Sequence, residues 1–187
     1  TNLTVEEVLV AYQDCRQHKR NNETTIEFEL DLPRNIMRIY HEVTAMTWQP
    51  SGHMCFVVKS PKIREVWASP FADRIVHHIV YNRLRPRFEP QFIATSFACI
   101  PNRGTSGASD WAMRAARRVT QGWSKQAYVL QADIANFFPS ICTQRLCDKL
   151  LARCPEPWLR HLVKEIIMVD VQRNAHFPGD PNLLNLI

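Results

Sequence analysis

The residues that could do chemistry lie around one acidic side chain in the last third of the chain. Asp133 follows a short apolar run, Tyr128 to Leu130, that is typical of a buried strand. A lone buried carboxylate is costly unless it has a partner, and Mg²⁺ held by one or two carboxylates is a natural one. The pattern therefore indicates a metal-ligating aspartate at the end of a strand. A helix cap or a salt bridge is the alternative role for Asp133.

Positive charge is concentrated in the middle of the chain. Residues 59–125 hold 12 Lys or Arg against 4 Asp or Glu, a net charge of +8, whereas residues 1–58 carry −3 and residues 126–187 carry 0. Such clustering favours a polyanion such as nucleic acid as the partner, and a solvated face is the alternative.

Arg74 lies at the start of a predicted helix that runs from Asp73 to Leu84. A cation at this end interacts unfavourably with the helix dipole, so an arginine here indicates a specific partner. A phosphate or template contact would supply one, and so would a pairing of Arg74 with Asp73 or Glu65.

A second helix start has a different phosphate-binding feature. Arg103, Gly104 and Thr105 precede a predicted helix that begins at Thr105 or Ser106 and ends at Gly122. Backbone N–H groups at a helix N-terminus can hold a phosphate, and a simple turn with a cap is the alternative.

Composition excludes several classes of protein. With 187 residues, 45% of them hydrophobic and 22% charged, the chain is expected to be a soluble globular protein with one sizeable core or two small ones. We expect no membrane partner and a cytoplasmic location, because there is no long apolar run and no secretion signal. The six cysteines form no CxxC pair, and Cys99, His77 and His78 lack the spacing of a zinc site.

The elements that position these groups are mostly helices, so the expected fold class is α+β. Residues 54–59 and 63–68 predict a β-hairpin with a basic tip. Thr4 and Glu7 form a capping box for the first helix, and segment 24–30 fits a loop or a helix. Further helices are predicted at residues 33–43, 73–84 (stopped by Pro86), 105–122, 144–152 and 157–168, with a strand at 128–132 and a loop from 170 to 187. The helix over 105–122 has an expected apolar face of Ala108, Trp111, Ala112, Ala115 and Val119.

Three ordered blocks resemble the reverse transcriptases of bacterial retroelements. Residues 62–78, KIREVWASPFADRIVHH, are similar to their fingers segment, and residues 96–105, SFACIPNRGT, to their second block. The segment around Asp133 resembles their first catalytic motif, an Asp followed at the fifth position by an aromatic. Residues 11–20 and the run Val76-His77-His78 most resemble the enzymes of diversity-generating retroelements, which are group II intron-like.

The resemblance implies a right-hand polymerase fold, with residues 1–125 as a mostly helical fingers region carrying the hairpin. Residues 126–187 would begin the palm with the first catalytic Asp. The implied activity is RNA-directed DNA synthesis from an RNA template, a DNA or RNA primer and dNTPs. Two Mg²⁺ ions would be bound by Asp133, with the carbonyl of Ile134 as a further ligand. A basic accessory protein of the retroelement is a further implied partner.

The resemblance also implies roles for side chains near the nucleotide. Lys62 and Arg64 would grip the triphosphate from the hairpin, with a solvated tip as the alternative. Phe138 would lie under the sugar and exclude a 2′-hydroxyl, with ordinary core packing as the alternative. Phe137 is expected to be the core member of the aromatic pair, since consecutive residues after a strand point in opposite directions. Arg74, Arg103, Gly104 and Thr105 would contact nucleic acid, and His77 and His78 would be structural.

One family feature is missing from the sequence. Complete polymerases of this type carry a Tyr-x-Asp-Asp motif, and no Asp-Asp pair occurs in these 187 residues. We therefore expect the palm to be incomplete here and the 187 residues to be inactive alone. The alternative is a non-catalytic nucleic-acid-binding or assembly module in which Asp133 is a structural carboxylate.

Overall fold

The computed structural model describes residues 2–17, 23–60, 63–172 and 175–177. Helices dominate, and a small sheet accompanies them, so the predicted α+β class is confirmed at that level. The elements in chain order are α1 (Val5–Arg16), α2 (Glu23–Glu29), α3 (Leu32–Thr44), β1 (His53–Val58), β2 (Arg64–Ala68), α4 (Phe71–Phe88), a 3₁₀ turn (Glu89–Gln91), α5 (Gly104–Val119), α6 (Phe137–Ser140), α7 (Thr143–Leu151), α8 (Pro157–Ile167) and β3 (Ala175–His176).

The chain forms two compact units. The first comprises Thr1–Arg87 and Cys142–Ile187, and the second is the intervening segment 88–141. The division into fingers and palm at residue 125 stays a prediction, because it rests on the family resemblance.

An aromatic cluster lies at the centre of the first unit. Tyr12 from α1, Phe28 from α2 and Phe71 from α4 contact one another with ring centroids 5.3 to 6.3 Å apart. Segment 24–30, for which a loop or a helix was expected, is helical up to Glu29 as part of α2. Thr25 and Phe28 are the buried residues of this helix. The predicted capping box of α1 is confirmed: the Glu7 N–H donates to the Thr4 hydroxyl and the Thr4 N–H to the Glu7 carboxylate.

The predicted hairpin is confirmed as β1 paired antiparallel with β2, with Cys55 opposite Trp67 and Val58 opposite Arg64. The strand order is β2-β1-β3, because β3 pairs parallel with the start of β1. The expectation of a loop from residue 170 onward was therefore wrong at Ala175–His176, where a short strand adds to the edge of β1. The missed signal is non-local, since β3 gains its hydrogen bonds from residues more than a hundred positions earlier.

Helix α4 extends past the predicted stop at Pro86 and ends at Phe88. Pro86 lies in the last turn of α4. Its missing N–H costs only one backbone hydrogen bond there, since the helix ends two residues later. The first turn of α4 contains the buried Asp73, whose carboxylate accepts hydrogen bonds from the N–H and hydroxyl of Ser51 at 2.9 and 2.8 Å. This contact fixes the entry of β1 against the start of α4.

The second unit is built around α5. The helix begins at Gly104 rather than at the predicted caps Thr105 or Ser106, and Arg103 precedes it. The C-terminus of α5 is close to the predicted end at Gly122. The Gly122 N–H donates to the Arg117 carbonyl at 2.8 Å, and Gly122 has a positive φ of 72°.

The apolar face predicted for α5 does not pack against a core among the described residues. No residue of α5 is buried, and Trp111 and Val119 are 44% and 65% exposed. The spacing predicted the helix correctly because periodicity is local, but it could not supply a surface for that face to pack against.

The predicted strand at residues 128–132 is also absent. Tyr128, Val129 and Leu130 lie in a segment without regular structure and are 89 to 93% exposed. A strand needs a neighbour for its backbone N–H and C=O groups, and no described strand pairs with this segment.

Among the residues that the structure describes, no helix has the length and apolar character needed to cross a bilayer.

Candidate functional site

Asp133 lies in the second unit on an exposed segment, three residues before the residue that precedes α6. The expectation of a buried carboxylate at a strand end was wrong in this structure. Its side chain makes no hydrogen bond or ion pair with the described part of the chain, so neither the helix cap nor the salt bridge is present. The carboxylate is therefore accessible to an external ligand.

The backbone turns sharply just after Asp133. Asn136 adopts a left-handed conformation with φ 52° and ψ 37°, a region that Asn visits more readily than most residues. The single helical turn of α6 follows and presents Phe137 and Phe138. Because Asn136 tolerates this left-handed conformation, the spacing between Asp133 and the aromatic pair is set by a local turn.

The two phenylalanines form an edge-to-face pair with ring centroids 5.3 Å apart. Phe138 is 81% exposed, and Phe137 is 49% exposed. The prediction that Phe137 is a core residue was wrong here, because the strand that should have set its orientation is not formed. Phe138 remains the more accessible ring, as its expected role beside a nucleotide requires.

The donor set around Asp133 fits part of a Mg²⁺ site. One carboxylate and the carbonyl of Ile134 are oxygen ligands of the kind that Mg²⁺ accepts together with substrate phosphates. No group of three or more His, Cys, Asp or Glu side chains suited to a metal occurs among the described residues. These residues could therefore contribute to one coordination sphere, and a two-ion centre would need further carboxylates.

The hairpin belongs to the first unit. Arg64 opens β2 and is exposed, and its guanidinium has no partner among the residues described. Lys62, the other expected triphosphate ligand, lies outside the described residues. Arg64 is thus an exposed cation near the hairpin tip with no partner in the described part of the chain.

Arg74 lacks the carboxylate partner that the sequence suggested as one alternative. Asp73 is committed to Ser51, and no ion pair joins Arg74 to Glu65 in the described residues. The Arg74 guanidinium lies 5.8 Å from the centroid of the Phe71 ring, and its buried Nε has no hydrogen-bond partner. Arg74 is therefore a half-buried cation stacked on an aromatic ring, and its phosphate contact stays a prediction.

In the segment Arg103 to Thr105, some polar groups make internal hydrogen bonds and others are exposed. The Arg103 guanidinium donates to the carbonyls of Ala94 and Ser96 at 3.3 and 2.9 Å, so this side chain closes its own loop. The Gly104 N–H donates to the Phe97 carbonyl at 3.2 Å, and Gly104 has a φ of +56°. Thr105 is exposed in the first turn of α5, where N–H groups have no partner within the helix.

Sequence reasoning missed a cavity of about 520 Å³ in the first unit, between the start of β1 and the end of α8. Its lining includes His53, Lys164, Glu165 and Asp170. The buried Nδ1 of His53 has no hydrogen-bond partner, and burial lowers the pKa of the neighbouring His77. No local pattern marks this cavity, because its walls come from segments more than a hundred residues apart.

The sequence analysis also did not predict a groove of about 400 Å³ on α5, although three of its lining residues belong to the predicted apolar face. It combines an aromatic, two cations and two smaller apolar residues at helical spacing. The lining residues are Trp111, Arg114, Ala115, Arg118 and Val119.

The structure therefore groups the predicted residues by unit. Asp133, Ile134 and Phe138 follow one another closely in the second unit, which also contains Arg103 to Thr105. Arg64 and Arg74 belong to the first unit. In comparisons with known proteins, no family model and no curated protein matches the chain.

Proposed function

We propose that this chain is part of an RNA-directed DNA polymerase of a bacterial or phage retroelement. The observation that carries the proposal is an exposed Asp133, without a partner among the described residues, followed after a left-handed turn by an exposed Phe138. An exposed carboxylate followed at the fifth position by an exposed aromatic, the spacing of the first reverse-transcriptase motif, suits a site that receives a nucleotide.

In this proposal each side chain has a separate task. Asp133 and the carbonyl of Ile134 supply oxygen ligands, and Phe138 contacts the sugar of the incoming nucleotide. Arg64, with Lys62, binds the triphosphate, since Arg can hold phosphate oxygens with two parallel hydrogen bonds. Arg74 and the N–H group of Thr105 in the first turn of α5 contact the nucleic-acid backbone.

Mg²⁺ bound at such a site would stabilise the attacking and leaving oxygens of an in-line displacement at phosphorus. Asp133 alone cannot hold two ions in register, so the proposal requires further carboxylates from a complete palm. It also places the RNA template, the primer and dNTPs as partners, with a basic accessory protein as a further one.

The proposal is tested by primer extension with the full-length protein, on an RNA template with a DNA primer, dNTPs and Mg²⁺. We expect synthesis on RNA that depends on Mg²⁺ and disappears with Asp133→Asn. Asp110→Asn, which changes another exposed Asp of the second unit, is the matched control. Absence of Mg²⁺-dependent synthesis on any template would overturn the proposal.

The same experiment separates the alternative function, a nucleic-acid-binding module without catalysis. That function requires binding of RNA that persists without divalent ions and is unaffected by Asp133→Asn. Such binding together with no synthesis by the full-length protein would favour the module over the polymerase.

A further inference from the structure

Two exposed helix faces of this chain complement each other in charge and in apolar content. The first is the acidic stripe, defined as Glu23, Ile26 and Glu27 on α2 together with Leu30, the residue that follows this helix. The second is the basic stripe, defined as Trp111, Arg114, Ala115, Arg118 and Val119 on α5. We propose that the acidic stripe of one copy of this chain docks on the basic stripe of a second copy.

The acidic stripe is a continuous face of α2. Glu23 and Glu27 are four residues apart, as are Ile26 and Leu30, so the four lie within about 100° around the helix. Ile26 and Leu30 are 49% and 83% exposed, and the helical hydrogen bond from the Leu30 N–H to the Ile26 carbonyl places Leu30 on the same face. The opposite side of α2 is buried through Thr25 and Phe28, so this face is presented to solvent by the packing itself.

The basic stripe is the matching face of α5. Arg114 and Arg118 lie one turn apart, beside an apolar row of Trp111, Ala115 and Val119. The Phe97 ring, 6.3 Å from the Trp111 ring and close to Gly107, occupies the N-terminal part of this side of the helix. The remaining groove is open, and the smallest side chain of its apolar row, Ala115, lies between the two larger ones.

Charge complementarity identifies the occupant. The charged residues lining the groove are both cations, and neither has a partner among the described residues. Glu23 and Glu27 likewise form no ion pair within that part of the chain. The occupant must therefore bring two carboxylates one helix turn apart beside an apolar row, which α2 of a second copy does.

The order of the rows fixes the direction of docking. Viewed from the N-terminus with the apolar row taken as reference, the acidic row of α2 and the basic row of α5 lie on opposite sides. Two helices that face each other in the parallel direction then bring Glu23 and Glu27 against Arg114 and Arg118. In the antiparallel direction each charged row would meet an apolar row, so the contact is expected to be parallel.

Each copy carries both stripes, so the contact closes into a pair or continues into a chain of copies. A contact of one to two helix turns is small, and small interfaces bind weakly. The test is sedimentation velocity of the nuclease-treated 187-residue protein up to about 200 µM, a range chosen because such contacts are weak. We expect a mass that rises with concentration, and association that weakens with salt.

Charge reversal makes the test specific. Arg114→Glu with Arg118→Glu, or Glu23→Lys with Glu27→Lys, should each weaken association about tenfold or more, because like charges then face each other. The two variants mixed should associate again, since each supplies the stripe that the other needs. Arg145→Glu with Lys149→Glu is the matched control, an exposed pair one turn apart on α7 with the same charge change.

Leu30→Ser tests the apolar part without altering charge, and the 83% exposure of Leu30 keeps the change outside the core. A protein that stays monomeric at every concentration overturns the proposal, as does association that neither reversal weakens. Loss of RNA binding by the Arg114/Arg118 reversal, with unchanged self-association, would instead assign the groove to nucleic acid. The proposal does not depend on polymerase activity.

Discussion

Arg87 in α4 holds Glu156, the residue that precedes α8, in a two-pronged ion pair. One guanidinium nitrogen donates to Oε2 of Glu156 at 3.0 Å and to the Arg153 carbonyl at 2.7 Å, and the other donates to Oε1. The Glu156 side chain is only 7% exposed, and that of Arg87 is 26% exposed. The pair thus links the end of α4 to the start of α8 inside the first unit, with its carboxylate almost removed from water.

Glu156→Gln is expected to lower the free energy of unfolding by about 2–3 kcal/mol, because it leaves a partly buried guanidinium without its counter-charge. The expected loss lies below the usual range for buried pairs since Arg87 keeps some contact with water. Urea unfolding measures the change. Glu42→Gln is the control, because the Arg38–Glu42 pair on α3 is much more exposed and should contribute less than about 0.5 kcal/mol. Equal losses in the two variants would contradict the prediction.

The same pair should make stability depend on pH. The hydrogen bond from Arg87 holds the pKa of the Glu156 carboxyl below its usual value, although burial opposes the shift. In the unfolded chain the carboxyl returns to a pKa of about 4.3, so the unfolded state binds more protons in acid. This contribution is complete above the unfolded pKa and is lost as the pH falls through the folded pKa.

We therefore expect the difference in unfolding free energy between the wild type and Glu156→Gln to be constant above about pH 5 and to shrink below about pH 4. Urea unfolding at a series of pH values measures it. The pKa of Glu29 is also lowered, by its hydrogen bond with Arg16, but that effect is common to both proteins and cancels. A difference that stays constant down to pH 3 would show that the pair does not shift the carboxyl.

The Arg87–Glu156 pair illustrates what the sequence could not predict. Arg87 and Glu156 are 69 positions apart, and no local sequence pattern around either residue indicates the other. The capping box of Thr4 and Glu7 and the β1–β2 hairpin were predicted correctly because their contacts join residues close in sequence. The strand at 128–132 was predicted wrongly because a short apolar run describes the residues of a strand and not the neighbouring strand with which it must pair.

For the candidate site too, the local arrangement could be predicted from the sequence and the packing could not. The order and spacing of Asp133 and Phe138 could be read from the sequence, and the left-handed Asn136 preserves a local turn between them. Their burial could not, because it depends on a surface that the described residues do not provide. The commitment of Arg103 to the carbonyls of Ala94 and Ser96 was equally invisible, since carbonyl acceptors leave no trace in residue type.

The basic segment should bind single-stranded RNA in a salt-dependent way. Arg64 is exposed and has no described partner, so we expect it to contact a phosphate and release a counterion on binding. Arg64→Ala should weaken binding by the 187-residue chain and reduce the slope of log affinity against log salt by about 0.7. Arg145→Ala, an exposed Arg outside the basic segment, is the control. Fluorescence anisotropy with a labelled RNA measures both quantities, and an unchanged slope in Arg64→Ala would remove Arg64 from the interface.

Asp133→Asn in the full-length protein should abolish DNA synthesis while leaving the melting temperature unchanged. The exposed carboxylate has no partner among the described residues, so the amide removes a metal ligand without breaking an internal contact. Primer extension and thermal unfolding are measured on the same preparation. Near-wild-type synthesis would rule out the metal role, and a large fall in melting temperature would instead indicate a structural carboxylate.

Under the proposed function, Phe138 should decide which sugar the full-length protein accepts. Its ring is 81% exposed at the fifth position after Asp133, where an aromatic can fill the space of a 2′-hydroxyl. Phe138→Ala in the full-length protein should therefore raise the use of rNTPs relative to dNTPs. Steric exclusion of a group this small is worth about 1–3 kcal/mol, so a change of roughly tenfold to a hundredfold is expected. Competition between an rNTP and its dNTP in primer extension measures the ratio.

Phe137→Ala is the matched control, because it removes the neighbouring ring of the same edge-to-face pair. At 49% exposure Phe137 is not a core residue, so its loss should cost less than the roughly 3–5 kcal/mol of a buried phenylalanine. It should leave the sugar preference unchanged. If Phe137→Ala relaxes the preference and Phe138→Ala does not, the ring that faces the nucleotide has been assigned one residue too late. If neither variant alters the preference, the steric gate lies elsewhere and the polymerase proposal loses its support from this aromatic pair.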